Sequence, residues 1–273
     1  MQVKFYTPHI LLQEFINCIM IVHTEADQEG PSIICPYPPT PQNSLFFYIN
    51  DPIKVQKDKD FLLQPRSVMV GPQLSRVSID INKSHKAVRV GFHPGGLFRL
   101  LGIPLSEMVD ESYNAADVFG AELTAMNNRL QEDIDFDEIK KVIETFLLQK
   151  AKSLKKALPF DLAMLELLRV NGNVSVEHIA SLACLSLRQF ERVSKERIGL
   201  PPKLFARLVR FSNAYRLHEN NPEISWTSIA YECGYFDQMH LIRDFKEFAG
   251  VAPGVIEKEL SHIPIRMQAG LRL

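Results

Sequence analysis

Four side chains that could read DNA lie at helical spacing in the C-terminal third of the chain. Arg188, Glu191, Arg192 and Lys195 occupy positions i, i+3, i+4 and i+7, so they share one face of a helix. Each arginine can bond guanine O6 and N7 together, and Glu191 can accept from cytosine N4. Lys195 and Arg197 lie further along, where phosphate contact is expected. The pattern predicts sequence-specific contact with DNA and not catalysis.

The arrangement around these residues occurs twice. Residues 179–202 and 229–253 align if one residue is inserted before the second helix of the later copy. Each copy predicts a helix, a turn, a second helix and then Gly and Pro, which is typical of a helix-turn-helix. We place the first unit at about 175–198, a connecting helix at 201–219 and the second unit at about 225–249.

The connecting helix would be about 28 Å long at 1.5 Å per residue. Successive major-groove faces of DNA are about 34 Å apart. The two units could therefore read adjacent grooves of one duplex, with slight bending of the DNA.

In the second copy the candidate reading residues lie on the equivalent helix face or flank it. They are Gln238, Met239, His240, Ile242, Arg243 and Lys246. Gln238 and Arg243 could bond bases, Met239 or Ile242 could touch a thymine methyl, and Lys246 takes the phosphate position equivalent to Lys195. Residues 237–247 hold two cations and three acids, which predicts weaker DNA binding by this unit.

Charge is unevenly distributed. The net charge is −1, but residues 186–216 carry eight cations against two acids. These cations are Arg188, Arg192, Lys195, Arg197, Lys203, Arg207, Arg210 and Arg216. Such a local basic stripe is typical of a DNA footprint, and a solvated helix face is the alternative.

The fold class we expect is α+β. Residues 1–152 form a β-rich, barrel- or sandwich-like sensor domain with added helices, because short apolar runs there alternate with Pro and Gly. The predicted strands are 44–50, 61–63, 67–70, 77–81 and 87–92, and the predicted helices include 9–20, 115–130 and 135–152. A basic linker, 153–159, leads to an all-α domain, 160–262. The apolar stripe of helix 135–152 fits either a core face or a dimer interface.

Other functional classes lack support in the sequence. No segment predicts membrane insertion or export, and four scattered cysteines suggest reduced thiols, so we expect a cytoplasmic protein. His85 and His93 lack the spacing of a metal site, and Pro94-Gly95-Gly96 lacks the ending of a phosphate loop. We expect no catalytic residues, no metal and no cofactor.

One string is especially telling: Ile229-Ala230, Cys233–Gln238, Arg243–Lys246 and Gly250–Pro253. With it, the stretch from about 160 to 260 resembles the double helix-turn-helix domain of the AraC/XylS-type transcriptional regulators. The resemblance implies base contacts from Arg188, Glu191, Arg192, Gln238, Met239, His240 and Arg243. The chain departs from that family's pattern at Phe236, Met239 and Glu247.

Residues 5–150 resemble, more weakly, a β-rich sensing domain found ahead of such readers. The phrase that carries this resemblance is Arg89–Gly96, after a strand and before a leucine-rich helix. It implies a regulatory or dimerising role with a small-molecule effector. The partners expected are promoter DNA, RNA polymerase, an effector and a second copy of the chain. A small-molecule sensor acting through protein association, with weak DNA binding, is the alternative function.

Overall fold

The computed structural model describes residues 2–25, 32–57, 59–81 and 83–261. Residues 1 and 262, which bound the two expected domains, lie outside this description. The strands are β1 Gln2–Tyr6, β2 Ile16–Glu25, β3 Ile33–Tyr37, β4 Ser44–Tyr48, β5 Lys54–Lys57, β6 Asp60–Leu63, β7 Ser67–Val70, β8 Val77–Ile81, β9 Ser84–Phe92 and β10 Ser112–Asn114. The helices of the N-terminal half are α1 Gly96–Leu101, α2 Ala116–Phe119, α3 Ala121–Leu130 and α4 Phe136–Lys150, with 3-10 turns at Leu105–Met108 and Ala151–Ser153.

The strands form two antiparallel sheets. One has six strands in the order β1-β2-β9-β4-β7-β10, and the other has four in the order β3-β8-β5-β6. The C-terminal half contains α5 Pro159–Arg169, α6 Val176–Leu182, α7 Leu187–Arg197, α8 Pro202–Asn220, α9 Trp226–Glu232, α10 Gln238–Phe248 and α11 Pro253–Ser261. The predicted α+β class, β-rich first and helical second, is confirmed.

Strand β9 separates two cores, because successive side chains of a strand point to opposite faces. Val88, Val90 and Phe92 pack with the helices of the N-terminal half. Ala87 packs instead with apolar residues of both sheets. The six-stranded sheet therefore has helices on one face and the smaller sheet on the other.

Two predicted helices of this half differ from the structure. Residues 16–20 of the expected helix 9–20 instead belong to strand β2, Ile16–Glu25, which is largely buried. The expected helix 115–130 is interrupted at Gly120, whose φ is +65°. Such an angle is outside the α-helical region and is tolerated by glycine, so α2 ends there and α3 begins.

The apolar stripe on α4 belongs to the core. Its members are buried, with Ile139, Ile143 and Leu147 at 0% exposure, and they pack with β9 and α1. A capping aspartate begins this helix, since Asp135 accepts from the backbone N–H groups of Asp137 and Glu138 at 2.9 and 2.8 Å. The stripe therefore gives no reason to place a dimer interface on α4.

Candidate nucleic-acid interface

The first helix-turn-helix unit consists of α6 and α7, and capping residues and one turn determine where its helices begin and how they are joined. The hydroxyl of Ser175 accepts from the N–H of His178 at 3.2 Å and begins α6. Ser186 and Gln189 form a reciprocal capping box that begins α7. Between the helices Cys184 has a φ of +54°, and this left-handed residue turns the chain from one helix to the other.

The second unit, α9 and α10, repeats this backbone. Ser225 and Asp237 cap its helices, and Gly234, with a φ of +73°, stands where the first unit has Cys184. The turn bond from Leu185 N to Ala180 O, 3.0 Å, has its counterpart in Tyr235 N to Ala230 O, 2.9 Å. The duplication read from the sequence is thus a duplication of structure.

The predicted reading face of α7 is exposed. Arg188, Glu191, Arg192 and Lys195 are all on the surface, whereas Phe190 and Ser194 are buried on the opposite side. Lys195 lies 3.2 Å from Glu191, and Arg192 lies 3.6 Å from Glu196. Exposed pairs of this kind contribute little to stability, so the cations can leave them for a polyanion.

The structure does not support the phosphate contact predicted for Arg197. It is 5% exposed, and its Nε and Nη2 donate to the Oδ1 and Oδ2 of Asp161 at 2.9 and 2.6 Å. Its guanidinium also lies 4.7 Å from the ring centre of Phe98. A buried guanidinium that already holds both carboxylate oxygens is not placed to meet a DNA phosphate. The expected phosphate contact at Arg197 is therefore wrong, and the residue is structural.

In the second unit Gln238, Met239, His240, Arg243 and Lys246 are exposed on α10 or at its start. The Oε1 of Gln238 accepts from the hydroxyl of Thr227 on α9 at 3.1 Å. Asp237 accepts from the backbone N–H of His240 at 2.8 Å, and this bond lowers the pKa of the Asp237 carboxyl. The Nδ1 of His240 also lies 2.8 Å from the Oδ1 of Asp237. The side chains of two candidate readers, Gln238 and His240, are therefore already held by neighbouring residues in the protein without DNA.

The acids of α10 are largely compensated within the domain. Arg207 on α8 donates to Asp244 at 2.7 Å and also pairs with Glu247. Asp244 is 5% exposed, and Asp237 caps the helix. The excess of acids counted in the sequence therefore does not describe the exposed face of α10. Arg197 and Arg207 likewise drop out of the basic stripe, because each is paired with a buried carboxylate and is itself buried or half-buried, unlike Arg192 and Lys195.

One exposed residue near the reading positions was missed as a candidate. Phe236 is 85% exposed, immediately before the capping Asp237, and its ring lies edge-on to His240 with 5.9 Å between ring centres. A large apolar side chain this exposed on a folded domain is typical of a contact surface. The signal in the sequence was its departure from the family's usual residue.

Comparison with known proteins agrees with this geometry. A helix-turn-helix domain model matches residues 179–259, which run from within α6 to within α11 and cover all of the second unit and most of the first. The C-terminal domain is the double helix-turn-helix of the AraC/XylS-type regulators. Residues 4–114 match a domain of unknown function, DUF6597. An HTH-type transcriptional regulator of Haemophilus influenzae is 31% identical over 86 residues, 32% of this chain and 28% of that protein's length.

Several solved structures match this chain with TM-scores below 0.5. ToxT from Vibrio cholerae O395 has a TM-score of 0.48 at 13% identity, covering 89% of this chain and 97% of that chain. The DNA-binding domain of AdpA in complex with a target DNA has a TM-score of 0.35 at 23% identity, covering 37% and 92%. The AraC-like activator CuxR has a TM-score of 0.25 at 13% identity, covering 75% and 84%.

The AraC/XylS-type domain is packed against the N-terminal half through its first reading helix. A Cβ added at Gly199, just after α7, would lie 2.5 Å from Pro72 and 2.7 Å from the carbonyl oxygen of Leu105. A Cβ at Gly95 would lie 2.3 Å from the Oδ1 of Asp161. Both glycines also have positive φ. Backbone of the β-rich half therefore touches the Asp161–Arg197 pair and the end of α7.

Within the described residues, no helix has the length and apolarity needed to cross a membrane. The same part of the chain holds no group of three or more His, Cys, Asp or Glu side chains arranged for a metal ion. His85 and His93 are both screened from water, and burial lowers the pKa of each imidazole.

Proposed function

We propose that this protein regulates transcription by binding promoter DNA sequence-specifically, with α7 and α10 as tandem reading helices. One observation carries the proposal: two copies of the same capped backbone present exposed guanidinium groups, Arg188 and Arg192 in the first and Arg243 in the second. Exposed arginines on a rigid helix match the paired acceptors of guanine in the major groove.

The proposed roles divide by position along each helix. Base contacts come from Arg188, Glu191, Arg192, Gln238, Met239, His240 and Arg243. Lys195 and Lys246 contact phosphates, one turn beyond the central arginine of each unit, and fix the register of the helix without reading sequence. Because α7 has two exposed arginines and α10 one, the first unit supplies the larger share of affinity.

Control of DNA binding is proposed to pass through the domain contact. The 3-10 turn at 105–108 and helix α1 lie against α7 and its end, so a change in the N-terminal half acts directly on a reading helix. RNA polymerase is the proposed protein partner at the promoter. Association without DNA reading is less favoured, because two of the three acids that suggested it, Asp244 and Glu247, are paired with Arg207 and the third, Asp237, caps α10.

Selection from a random DNA pool tests the reading mode. The full chain should enrich a site with two conserved elements about one helical turn, roughly 34 Å, apart. Arg188→Ala and Arg192→Ala should alter only the element read by α7, and Arg243→Ala only the other. Arg169→Ala, an exposed arginine on α5 paired with Glu166, is the matched control and should leave both elements intact.

The ionic-strength dependence of binding distinguishes this function from protein association. Affinity should fall steeply as salt rises, with a slope of about −0.9 per phosphate contacted. Enrichment of no sequence, together with no retention on DNA at low salt, would reject DNA reading. Enrichment of one element alone would restrict the proposal to the first unit.

A further inference from the structure

A cavity of about 120 Å³ lies between the two sheets of the N-terminal half. Most of its wall is apolar and comes from both sheets, including Val22, Ile53, Val55, Val68, Ile79 and Ile81. The polar side chains on its wall include His85 and Arg89, both on β9. An apolar cavity with a few polar groups is the usual form of a small-molecule site.

Arg89 is the unusual residue of this wall. It is 1% exposed, and its Nη2 donates to the Oε1 of Gln42 at 3.0 Å. Its Nε and Nη1 are buried without a hydrogen-bond partner. A buried guanidinium with unbonded N–H groups is costly unless an anion meets it. The ion pairs found among the described residues do not include Arg89, so the fold does not supply that anion itself.

Space beside the guanidinium is kept by a glycine. A Cβ at Gly91, on the same face of β9, would lie 3.2 Å from the Nη1 of Arg89 and 3.1 Å from the Oε1 of Gln42. Such contacts are tighter than ordinary packing, so a larger residue at Gly91 would crowd the head of Arg89.

We propose that this cavity binds a small apolar monocarboxylate, whose carboxylate pairs with Arg89 and whose body fills the space between the sheets. Planar guanidinium and carboxylate groups form paired, charge-assisted hydrogen bonds. An apolar protein cavity of about 150 Å³ holds benzene, so a cavity of about 120 Å³ limits the apolar body of the ligand to roughly one ring or a short aliphatic chain. A long acyl chain exceeds this volume.

The cavity favours a ligand with one negative charge over a ligand with two. Burial, with His23 nearby, lowers the pKa of His85 to about 4, so the imidazole is neutral near pH 7. Among the described residues that line the cavity, Arg89 is then the only cation. A phosphate dianion would therefore keep a charge without a partner. Neutral His85, whose Nδ1 is buried without a partner, can still form a hydrogen bond to a carboxylate.

Two segments of chain that follow β9 and β7 connect the cavity wall with the DNA-binding domain. Gly95, six residues after Arg89, touches the carboxylate of Asp161, and Pro72, adjacent to the wall residue Gln73, touches the position of Gly199. This proposal deepens the control through the domain contact proposed above, and its regulatory meaning rests on that proposed function. Binding of the acid itself is measured without DNA, so the two proposals can fail separately.

Calorimetric titration of the full chain tests the assignment. Benzoate and hexanoate should bind at least tenfold more tightly than their neutral counterparts, benzyl alcohol and 1-hexanol. Arg89→Met should abolish this preference, and the variant without added acid should melt at a higher temperature than the natural protein because an unpaired buried charge is gone. Arg129→Met, an exposed arginine on α3, is the control and should bind benzoate unchanged.

Several results would overturn the proposal. The proposal is wrong if acids and alcohols bind equally, if neither binds, or if Arg89→Met leaves benzoate binding unchanged. Phenyl phosphate binding more tightly than benzoate would reject the preference for a ligand with one negative charge. If Arg89→Met does not fold, Arg89→Lys and the comparison of acid with alcohol on the natural protein decide the matter. If the protein binds benzoate but does not bind DNA, only the proposed function is rejected. If it binds DNA but not benzoate, only the assignment of the cavity is rejected.

Discussion

Arg197 and Asp161 are joined by two hydrogen bonds, 2.9 and 2.6 Å long, at the boundary between the β-rich half and the first reading helix. Both residues are 5% exposed. Asp161 also accepts from the backbone N–H of Leu158 through Oδ2 at 2.8 Å, so the same carboxylate begins α5. One ion pair thus connects the start of the reader domain, the end of α7 and the backbone at Gly95.

Arg197→Ala should lower the free energy of unfolding by about 3 to 5 kcal/mol, because it leaves Asp161 buried without its cation. Urea unfolding followed by circular dichroism measures this loss. Arg188→Ala, on the exposed face of the same helix, is the matched control and should change stability by less than about 0.5 kcal/mol. If Arg197→Ala instead weakens DNA binding while stability stays unchanged, the structural role given to Arg197 is wrong.

Arg192→Ala should cost about 1 to 3 kcal/mol of binding free energy on the selected site and relax discrimination at one base pair. The reason is that a bidentate guanine contact is lost while the helix stays folded. Fluorescence anisotropy on the selected site and on single-base variants measures both effects.

Lys195→Ala serves as the comparison for Arg192. It should weaken binding by a similar factor on every sequence and reduce the salt slope by about 1, as expected for a phosphate contact. Uniform weakening by Arg192→Ala would reassign that arginine to phosphate contact.

The helix-turn-helix units were predictable because their signals are local. Caps, helical periodicity and the repeat of residues 179–202 at 229–253 are all written within short stretches of chain, and each agrees with the others. The spacing of residues in the sequence explains why the phosphate contact predicted for Arg197 was wrong. It lies nine residues after Arg188, which is two and a half helical turns, so its side chain leaves the opposite face of α7.

The β-rich half was harder to predict because its contacts are distant in sequence. Residues 16–22 are mostly apolar on both faces, because this part of β2 is covered on both sides, and such a run cannot be told from a buried helix by periodicity. The pairing of Asp244 with Arg207 spans 37 residues. Nothing in the sequence around Arg89 shows that its guanidinium is buried beside a cavity, because that depends on how strands of both sheets meet.

Gly234→Ala and Gly250→Ala separate backbone strain from collision. Both glycines have a positive φ, +73° and +71°, but a Cβ at Gly234 would lie 2.3 Å from the Oδ1 of Asn173, whereas none of the described atoms lies within 4 Å of a Cβ at Gly250. Gly250→Ala should cost about 1 kcal/mol, the price of a left-handed alanine. Gly234→Ala should cost roughly 1 to 3 kcal/mol more, because the side chain of Asn173 must move.

Thermal unfolding of the two glycine variants, measured side by side, checks this difference. Equal losses would mean that Asn173 moves aside freely and that the turn of the second unit tolerates a side chain. A larger loss at Gly250 would contradict the description of both turns.

The buried imidazole of His85 makes stability depend on pH. Burial lowers its pKa in the folded protein to about 4, whereas an unperturbed histidine has a pKa of 6.5. The unfolded chain therefore takes up a proton first, and the folded state loses stability as pH falls from about 6.5 to about 4, with no further loss from this residue below that range. The full shift corresponds to roughly 3 kcal/mol.

Unfolding free energies of the natural protein and of His85→Gln, measured between pH 7.5 and 4.5, test this contribution. The difference in unfolding free energy between the natural protein and the variant should narrow as pH falls, because glutamine has no imidazole whose protonation favours the unfolded state. His178→Gln, exposed on α6, is the control and should follow the natural profile. If His85→Gln follows it as well, His85 takes up its proton at the same pH in the folded and the unfolded protein, and the cavity beside Arg89 gains a second positive charge below about pH 6.5.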